Sequence, residues 1–189
     1  MGGTIIDKLY ADNLSLLKFL DGQKEVSFQI EADKNFRKLL LLSAASYFET
    51  EIIKVLIEFA TLNSRSGLVI EFIKKGAIER RYHMYFDWKN RKANSFFGLF
   101  GTEFSSYMKE QMKAAPDIER AVESFMEIGA IRNELVHENF AVFPLEKTSE
   151  EIYALYKFGN NFPHILHDSL HKVSDTTCAV SASIAEKKQ

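Results

Sequence analysis

Apolar residues recur at helical spacing almost from the start of the chain: Ile5, Ile6, Leu9, Leu14, Leu16, Leu17 and Leu20, with Gly22 as a stop. This predicts a first helix. Glu25 to Phe28 alternates like a strand but is too short to need a sheet partner. From Phe36 to Leu62 there is neither Pro nor Gly, and Leu40, Ala44, Tyr47, Phe48, Ile52, Val55, Leu56 and Phe59 form one broad apolar stripe, which predicts a long central helix. Gly67 to Ile73 is rich in β-branched residues and fits helix or strand; we read it as a short helix closed by Gly76. Asn94-Ser95 and Thr102 resemble N-caps of two short helices separated by Gly98 and Gly101. Pro116 suits the first turn of another helix, with Asp117 and Glu119 complementing its dipole and Ile118, Val122, Phe125, Met126 and Ile128 leading on to Arg132. Pro144 ends that unit. Thr148 and Glu151 form a capping box for a helix through Ile152, Leu155 and Phe158, which Gly159-Asn160-Asn161 stops. Pro163 opens a last helix to about Val173. The pattern predicts an all-α bundle, a central long helix with peripheral short ones, forming one domain over 1–175 with a flexible tail over 176–189.

Composition narrows the class. Hydrophobic residues at 46% and charged residues at 26% are globular values that argue against a disordered or fibrous chain. A single cysteine, Cys178, excludes an internal disulfide and a cysteine-based zinc site and fits a reducing compartment. The longest apolar run, Leu39 to Leu42, is far too short for a membrane span, and the sequence opens without a basic, apolar, small-residue pattern. The expected location is the cytoplasm, with no membrane partner. Met1-Gly2 does not complete a myristoylation motif, because Ile6 stands where Ser or Thr is required.

A net charge of −2 does not advertise a nucleic-acid binder, but it hides an asymmetry. Residues 71–100 hold Lys74, Lys75, Arg80, Arg81, Lys89, Arg91 and Lys92 against Glu71, Glu79 and Asp87. Phe72, Tyr82, Tyr85, Phe86, Trp88, Phe96 and Phe97 are interleaved with them, a mixture on which single-stranded nucleic acid can stack. Lys89, Arg91 and Lys92 are the candidate RNA-binding residues. The plainer alternative is a solvated charged face over buried aromatics.

The segment that carries chemistry is Arg132-Asn133-Glu134-Leu135-Val136-His137, late in the Pro116 helix. Imidazole titrates near neutral pH, so it can take the proton of a ribose 2′-hydroxyl or give one to a leaving 5′-oxygen. Guanidinium can pair with the non-bridging phosphate oxygens and stabilise the charge that develops on them. Such cleavage requires no metal or other cofactor. Five residues separate Arg132 and His137 by about 140° around a helix, whereas Asn133 and His137 share a face. The Arg must therefore reach around the helix or meet the His of a second copy across a two-fold axis, which makes a homodimer the mechanistic expectation.

Arg132 to His137 resembles the R-x4-6-H signature of the HEPN superfamily, with the polar residue that often follows the Arg present as Asn133. Leu42-Ser43-Ala44-Ala45-Ser46-Tyr47-Phe48-Glu49 resembles the early helix of the ribonuclease L-like, RiboL-PSP branch, where an acidic residue recurs. The resemblance covers about Phe36 to Phe140. It implies a HEPN-like helical bundle and a dimeric, metal-independent endoribonuclease, often a toxin or an anti-phage effector, sometimes restrained by an antitoxin or regulatory protein. By position it assigns Arg132 and His137 as the catalytic pair and Asn133 as a helper that positions phosphate or His137. Glu49 and Glu134 are candidate supporting carboxylates.

Other readings compete. His164, His167 and His171 lie within about 60° of one helix face beside Asp168, a candidate metal cluster, although three imidazoles on successive turns of one helix seldom converge on an ion unaided. Cys178 has no base held against it, and Gly98-Leu99-Phe100-Gly101 lacks the Lys-Ser/Thr of a phosphate loop. The alternative from another class is a non-catalytic helical RNA-binding or protein-interaction module. In that case His137 would be buried and hydrogen-bonded.

Overall fold

The computed structural model describes residues 3–186, with side chains through Thr176. Side chains from 177 onward, Cys178 included, and residues 187–189 lie outside that description, and the expected tail over 176–189 falls mainly on them. Among the described residues there is no strand, only an isolated antiparallel bridge between Asp87 and Lys92.

Helix α1 (Ile5–Gly22) opens on a capping box. The Asp7 backbone N–H donates to Thr4 Oγ1, and the Thr4 N–H returns a bond to the Asp7 carboxylate. Lys24, at φ 60°, turns the chain into α2 (Val26–Asn63), which spans about 57 Å at 1.5 Å per residue. The alternating Glu25–Phe28 segment is therefore the entry to this helix and not an extended piece. Nothing from 26 to 35 is buried, and Val26, Phe28 and Ile30 are exposed; the apolar stripe that identified the helix begins at Phe36, as its pattern indicated.

Helix α3 (Gly67–Ile73) is present, but Gly76 does not close it. The chain continues into a π-helical turn over Lys74–Ile78, sealed by the Glu79 N–H on the Lys74 carbonyl. Helices α4 (Tyr82–Tyr85), α5 (Asn94–Gly98) and α6 (Thr102–Ala114) follow. The expected side-chain caps of α5 and α6 are absent. Asn94 and Thr102 lie inside their helices, preceded by Ala93 and by Gly101, whose φ of 95° supplies the left-handed turn that a side chain would resist. Helix α7 (Pro116–His137) begins on its proline, and the Thr148–Glu151 capping box starts α8 (Ser149–Gly159). Helix α9 (Phe162–Glu186) extends well past Val173.

The core forms where α2 meets α7, α8 and α9. Leu40, Leu41, Ala44, Phe48 and Ile52 of α2 are essentially inaccessible, as are Phe125, Met126 and Ile128 of α7, Ile152 and Tyr156 of α8, and Phe162 and Leu166 of α9. Phe125 is the hub, with ring centroids 5.1 Å from Phe48, 5.2 Å from Phe86 and 4.8 Å from Phe162. The end of α8 approaches this stack closely: a β-carbon on Gly159 would lie 2.8 Å from Phe48 Cζ.

Helix α1 is tied to α8 by polar contacts. The Thr4 and Tyr156 hydroxyls are 2.6 Å apart, the Tyr153 hydroxyl donates to Asp7 at 2.7 Å, and Tyr10 stacks on Tyr153 at 3.9 Å. Burial alone would raise the Asp7 carboxyl, but bonds from Tyr153, from the Thr4 N–H and hydroxyl, and from Lys157 outweigh it and hold the carboxyl at about 2. Because this lies below the usual value near ~3.9, its stabilisation is present above about pH 4 and is lost as pH falls toward 2. Asp7→Asn is expected to cost on the order of 1 kcal/mol at pH 7, roughly 2–4 °C in melting temperature. Calorimetry should find the difference from wild type much reduced near pH 2, where the folded carboxyl is half protonated, and an equal loss at both pH values would contradict the ionic origin.

Candidate functional site around Arg132

Helix α7 is covered on nearly all sides just before the motif, with Ile128, Gly129, Ala130 and Ile131 buried in succession. Arg132 and Asn133 are the first polar residues beyond that stretch and are half-buried. The Arg132 guanidinium donates to Asn133 Oδ1 at 3.1 Å. Asn133 therefore braces Arg132, a contact that its expected roles, positioning phosphate or His137, did not include.

Four segments meet at Arg132. Ala45 and Glu49 come from α2, Tyr82 and His83 from α4, Trp88 from the turn after α4, and Gly129, Arg132 and Asn133 from α7. Together they line a shallow notch of about 10 Å³, no larger than a single water needs. A polyanion would sit across its mouth and not inside it. His83 Nε2 stands 3.8 Å from the Glu49 carboxylate, and the His83 backbone carbonyl accepts the Trp88 indole N–H at 2.9 Å. Burial pushes the Tyr82 hydroxyl well up; the Glu49 charge adds to this and Arg132 opposes it, so the phenol stays protonated.

Trp88 fixes this geometry. A β-carbon at Gly129 would lie 2.0 Å from Trp88 Cζ3, so the indole occupies space that any other residue would fill. The turn carrying Trp88 is closed by paired backbone bonds between Asp87 and Lys92 and has Arg91 in the left-handed region at φ 53°. Hydrogen bonds from the Asn90 side chain and N–H hold the Asp87 carboxyl below its usual range and keep it available to brace the turn. The turn projects Lys89, Arg91 and Lys92 into solvent beside the notch. Arg91 lies 3.7 Å from Glu127, a carboxylate it shares with Lys147 at 2.9 Å. The aromatic residues of the basic segment divide: Tyr82, Phe86, Phe96 and Phe97 are buried, while Phe72 is 78% exposed. For the buried four, the plainer reading of that segment holds.

His137 is the last residue of α7 and is exposed, with neither ring nitrogen hydrogen-bonded among the described residues. A buried, core-bonded His137, the form in which a purely structural role was expected, is therefore not what the fold contains. It does not line the Arg132 notch; the helix turns its side chain away, as the 140° offset required. The segment after it is fastened to α2 by Lys38, which is only 3% exposed and donates to the carbonyls of Phe140 at 2.6 Å and Ala141 at 3.3 Å. Glu134 faces a different cleft of about 340 Å³, formed with Arg91, Ile131, Glu138 and the 143–147 loop, and so does not support Arg132.

On α9, His167 Nδ1 lies 3.0 Å from Asp168 and its Nε2 3.7 Å from Glu58, while the His171 ring rests edge-on against Phe59. Among the described residues no group of three or more His, Cys, Asp and Glu side chains is arranged to hold a metal ion.

The family model RiboL-PSP-HEPN matches residues 7–172, from α1 into α9. The chain belongs to the RiboL-PSP-HEPN family. No curated protein and no solved structure matches it. Membership in this HEPN family supports a nuclease or RNA-related role in general terms and agrees with the all-helical fold. No helix among the described residues is long and apolar enough to cross a membrane.

Of the residues picked from the sequence, Arg132, Asn133 and Glu49 come together, whereas His137 and Glu134 do not join them. His83 was missed. Its membership depends on where the turns after α3 deliver α4, and its only sequence signal is its place within the basic, aromatic segment.

The seat of Trp88 generates a prediction. Gly129→Ala should expel the indole, red-shift the emission of the chain's one tryptophan and destabilise the fold by about 1–3 kcal/mol. Unchanged emission and melting temperature would show that the contact is not needed.

Proposed function

We propose that this HEPN-family chain is a metal-independent endoribonuclease that cuts single-stranded or looped RNA, working as a homodimer in the cytoplasm. The carrying observation is the half-buried Arg132 braced by Asn133, with an exposed, uncommitted His137 at the end of the same helix. The 2′-hydroxyl oxygen attacks the adjacent phosphorus and the bond to the 5′-oxygen breaks, leaving a 2′,3′-cyclic phosphate and a 5′-hydroxyl. Arg132 pairs with the non-bridging oxygens, and His137 exchanges one of the two protons that must move. Because the nucleophile belongs to the RNA, DNA is not a substrate.

The offset of His137 from the Arg132 notch supports a two-chain site, as does the exposed apolar surface of Val136, Phe140 and Val142 around it. The exposed Lys89, Arg91 and Lys92 supply a phosphate-binding rim. An enzyme that cuts cellular RNA with only this much apparatus suits a toxin or phage-defence effector, restrained by an antitoxin or other regulatory protein.

Wild type, Arg132→Ala and His137→Ala, each shown to be folded by its melting curve, are to be incubated with mixed-sequence RNA in excess EDTA. Wild type should cut, and each variant should be slower by roughly a hundred- to ten-thousand-fold. An all-deoxy strand should survive, and light scattering should give the mass of two chains. Dependence on a divalent ion, or cleavage of the deoxy strand, would contradict the mechanism. RNA retention without cutting by any form would instead favour a binding module.

A further inference from the structure

Cleavage through a 2′-hydroxyl needs two proton movements, one off the nucleophile and one onto the leaving oxygen, and a single imidazole can provide only one of them at a time. The residues within one chain that meet at Arg132 include a second imidazole. We propose that His83 is the general base of the reaction, leaving His137 as the general acid; this rests on the ribonuclease reading above.

Three observations carry the assignment. His83 lines the same notch as Arg132 and Asn133, so a phosphate paired with the guanidinium would lie beside its ring. Its side chain is 48% exposed, which leaves it open to a substrate lying across the notch mouth. Its ring is also held: Nε2 faces the Glu49 carboxylate at 3.8 Å, the Tyr82 ring packs edge-on at 5.3 Å, and the backbone carbonyl is bound by the Trp88 indole. The Glu49 carboxylate lies on the Nε2 side of the ring, so Nδ1 is the nitrogen without a charged partner among the described residues. The charged and titratable groups that surround the imidazole are Glu49 from α2, Arg132 from α7 and the neighbouring Tyr82 hydroxyl.

The step balances as follows. Nδ1 of His83 takes the 2′-hydroxyl proton while the oxygen bonds to phosphorus. The phosphorus–5′-oxygen bond breaks, and that oxygen takes a proton from the partner's His137, which the two-chain site brings to the notch. Exchange with water resets both rings. Glu49 acts on the reaction only through His83 and is a positioning residue.

The two roles separate chemically. Sulfur in place of the bridging 5′-oxygen makes a leaving group that departs without a proton. Removing the general acid should then matter little, whereas removing the base should matter as much as before. His83→Ala, His83→Gln and His137→Ala, each checked by melting curve, would be assayed in EDTA on a short RNA carrying either oxygen or sulfur at the linkage that wild type cuts. Both His83 variants should be slowed roughly a hundred- to ten-thousand-fold on either substrate and should lose the rise in rate with pH on the acidic side of the profile. His137→Ala should be slow on the oxygen substrate and restored by sulfur. His83 variants cutting at the wild-type rate, or restored by sulfur, would overturn the assignment while leaving the ribonuclease reading in place. A wild type inactive on both substrates would overturn that reading, and this role with it.

Discussion

The arrangement at Arg132 depends on one steric fit. Gly129 lies on α7 one turn before Arg132, and the indole of Trp88 fills the space where its side chain would be. Four segments are brought into register by that contact. It holds the Asp87–Lys92 turn against α7, lets the indole N–H reach the His83 carbonyl, and thereby fixes α4 over the Glu49 face of α2. The contact is apolar and close, so it tolerates little displacement; polar groups around it can then be arranged without determining the packing themselves. A similar device operates at Gly159, where α8 closes on Phe48 and Phe125. Two small residues thus allow an aromatic-rich core to bring long helices close enough for half-buried charges to meet at their edge.

The two ends of the motif have different physical characters. Arg132 belongs to the rigid part of α7: four buried residues precede it, and Asn133 and the notch hold it. His137 sits at the helix end, where the last carbonyls favour a cation and where the Lys38 clamp, the turn at Asn139 and the buried Phe143 restrain the chain beyond. Lys38 is a buried cation bound to backbone carbonyls, with its ammonium 5.2 Å from the Phe140 ring centroid, so its charge is stabilised by dipoles and not by a carboxylate. It secures the position of the helix end without neutralising the surface around His137.

Much of the fold was legible because helical periodicity and proline, glycine and capping signals are local. Pro116 and the Thr148–Glu151 box started helices where expected, and the stripe from Phe36 marked the buried part of α2. What local signals could not give was continuation. The ten residues before Phe36, none of them buried, are helical because the turn at Lys24 lays them along α1, and Gly76 is carried through in a wider π-helical turn. Caps were overestimated at Asn94 and Thr102, where glycine conformation and tertiary packing replaced a side-chain acceptor. At the site, Arg132 with Asn133 and Glu49 could be found from a motif and a resemblance. His83 could not, because its contribution comes from a long-range contact across three segments that leave no periodic trace.

The proposed function asks a chain of net −2 to address a polyanion, and charge placement bears on how it would do so. What counts over a Debye length of roughly 8–10 Å is the local field and not the total. Lys89, Arg91 and Lys92 are displayed by the turn that packs Trp88 against Gly129; of the carboxylates around it, Glu127 is committed to Arg91 and Lys147, Asp87 to Asn90 and Glu49 to His83, whereas Glu134 and Glu138 share an open cleft with Arg91. On the proposed function, a notch that admits little more than a water would leave phosphate to approach at the surface, where Lys89, Arg91 and Lys92 project. A shallow, mixed-charge surface favours an extended backbone over a deeply inserted base. In the proposed reaction it would also leave the attacking and leaving oxygens open to imidazoles that arrive from different directions.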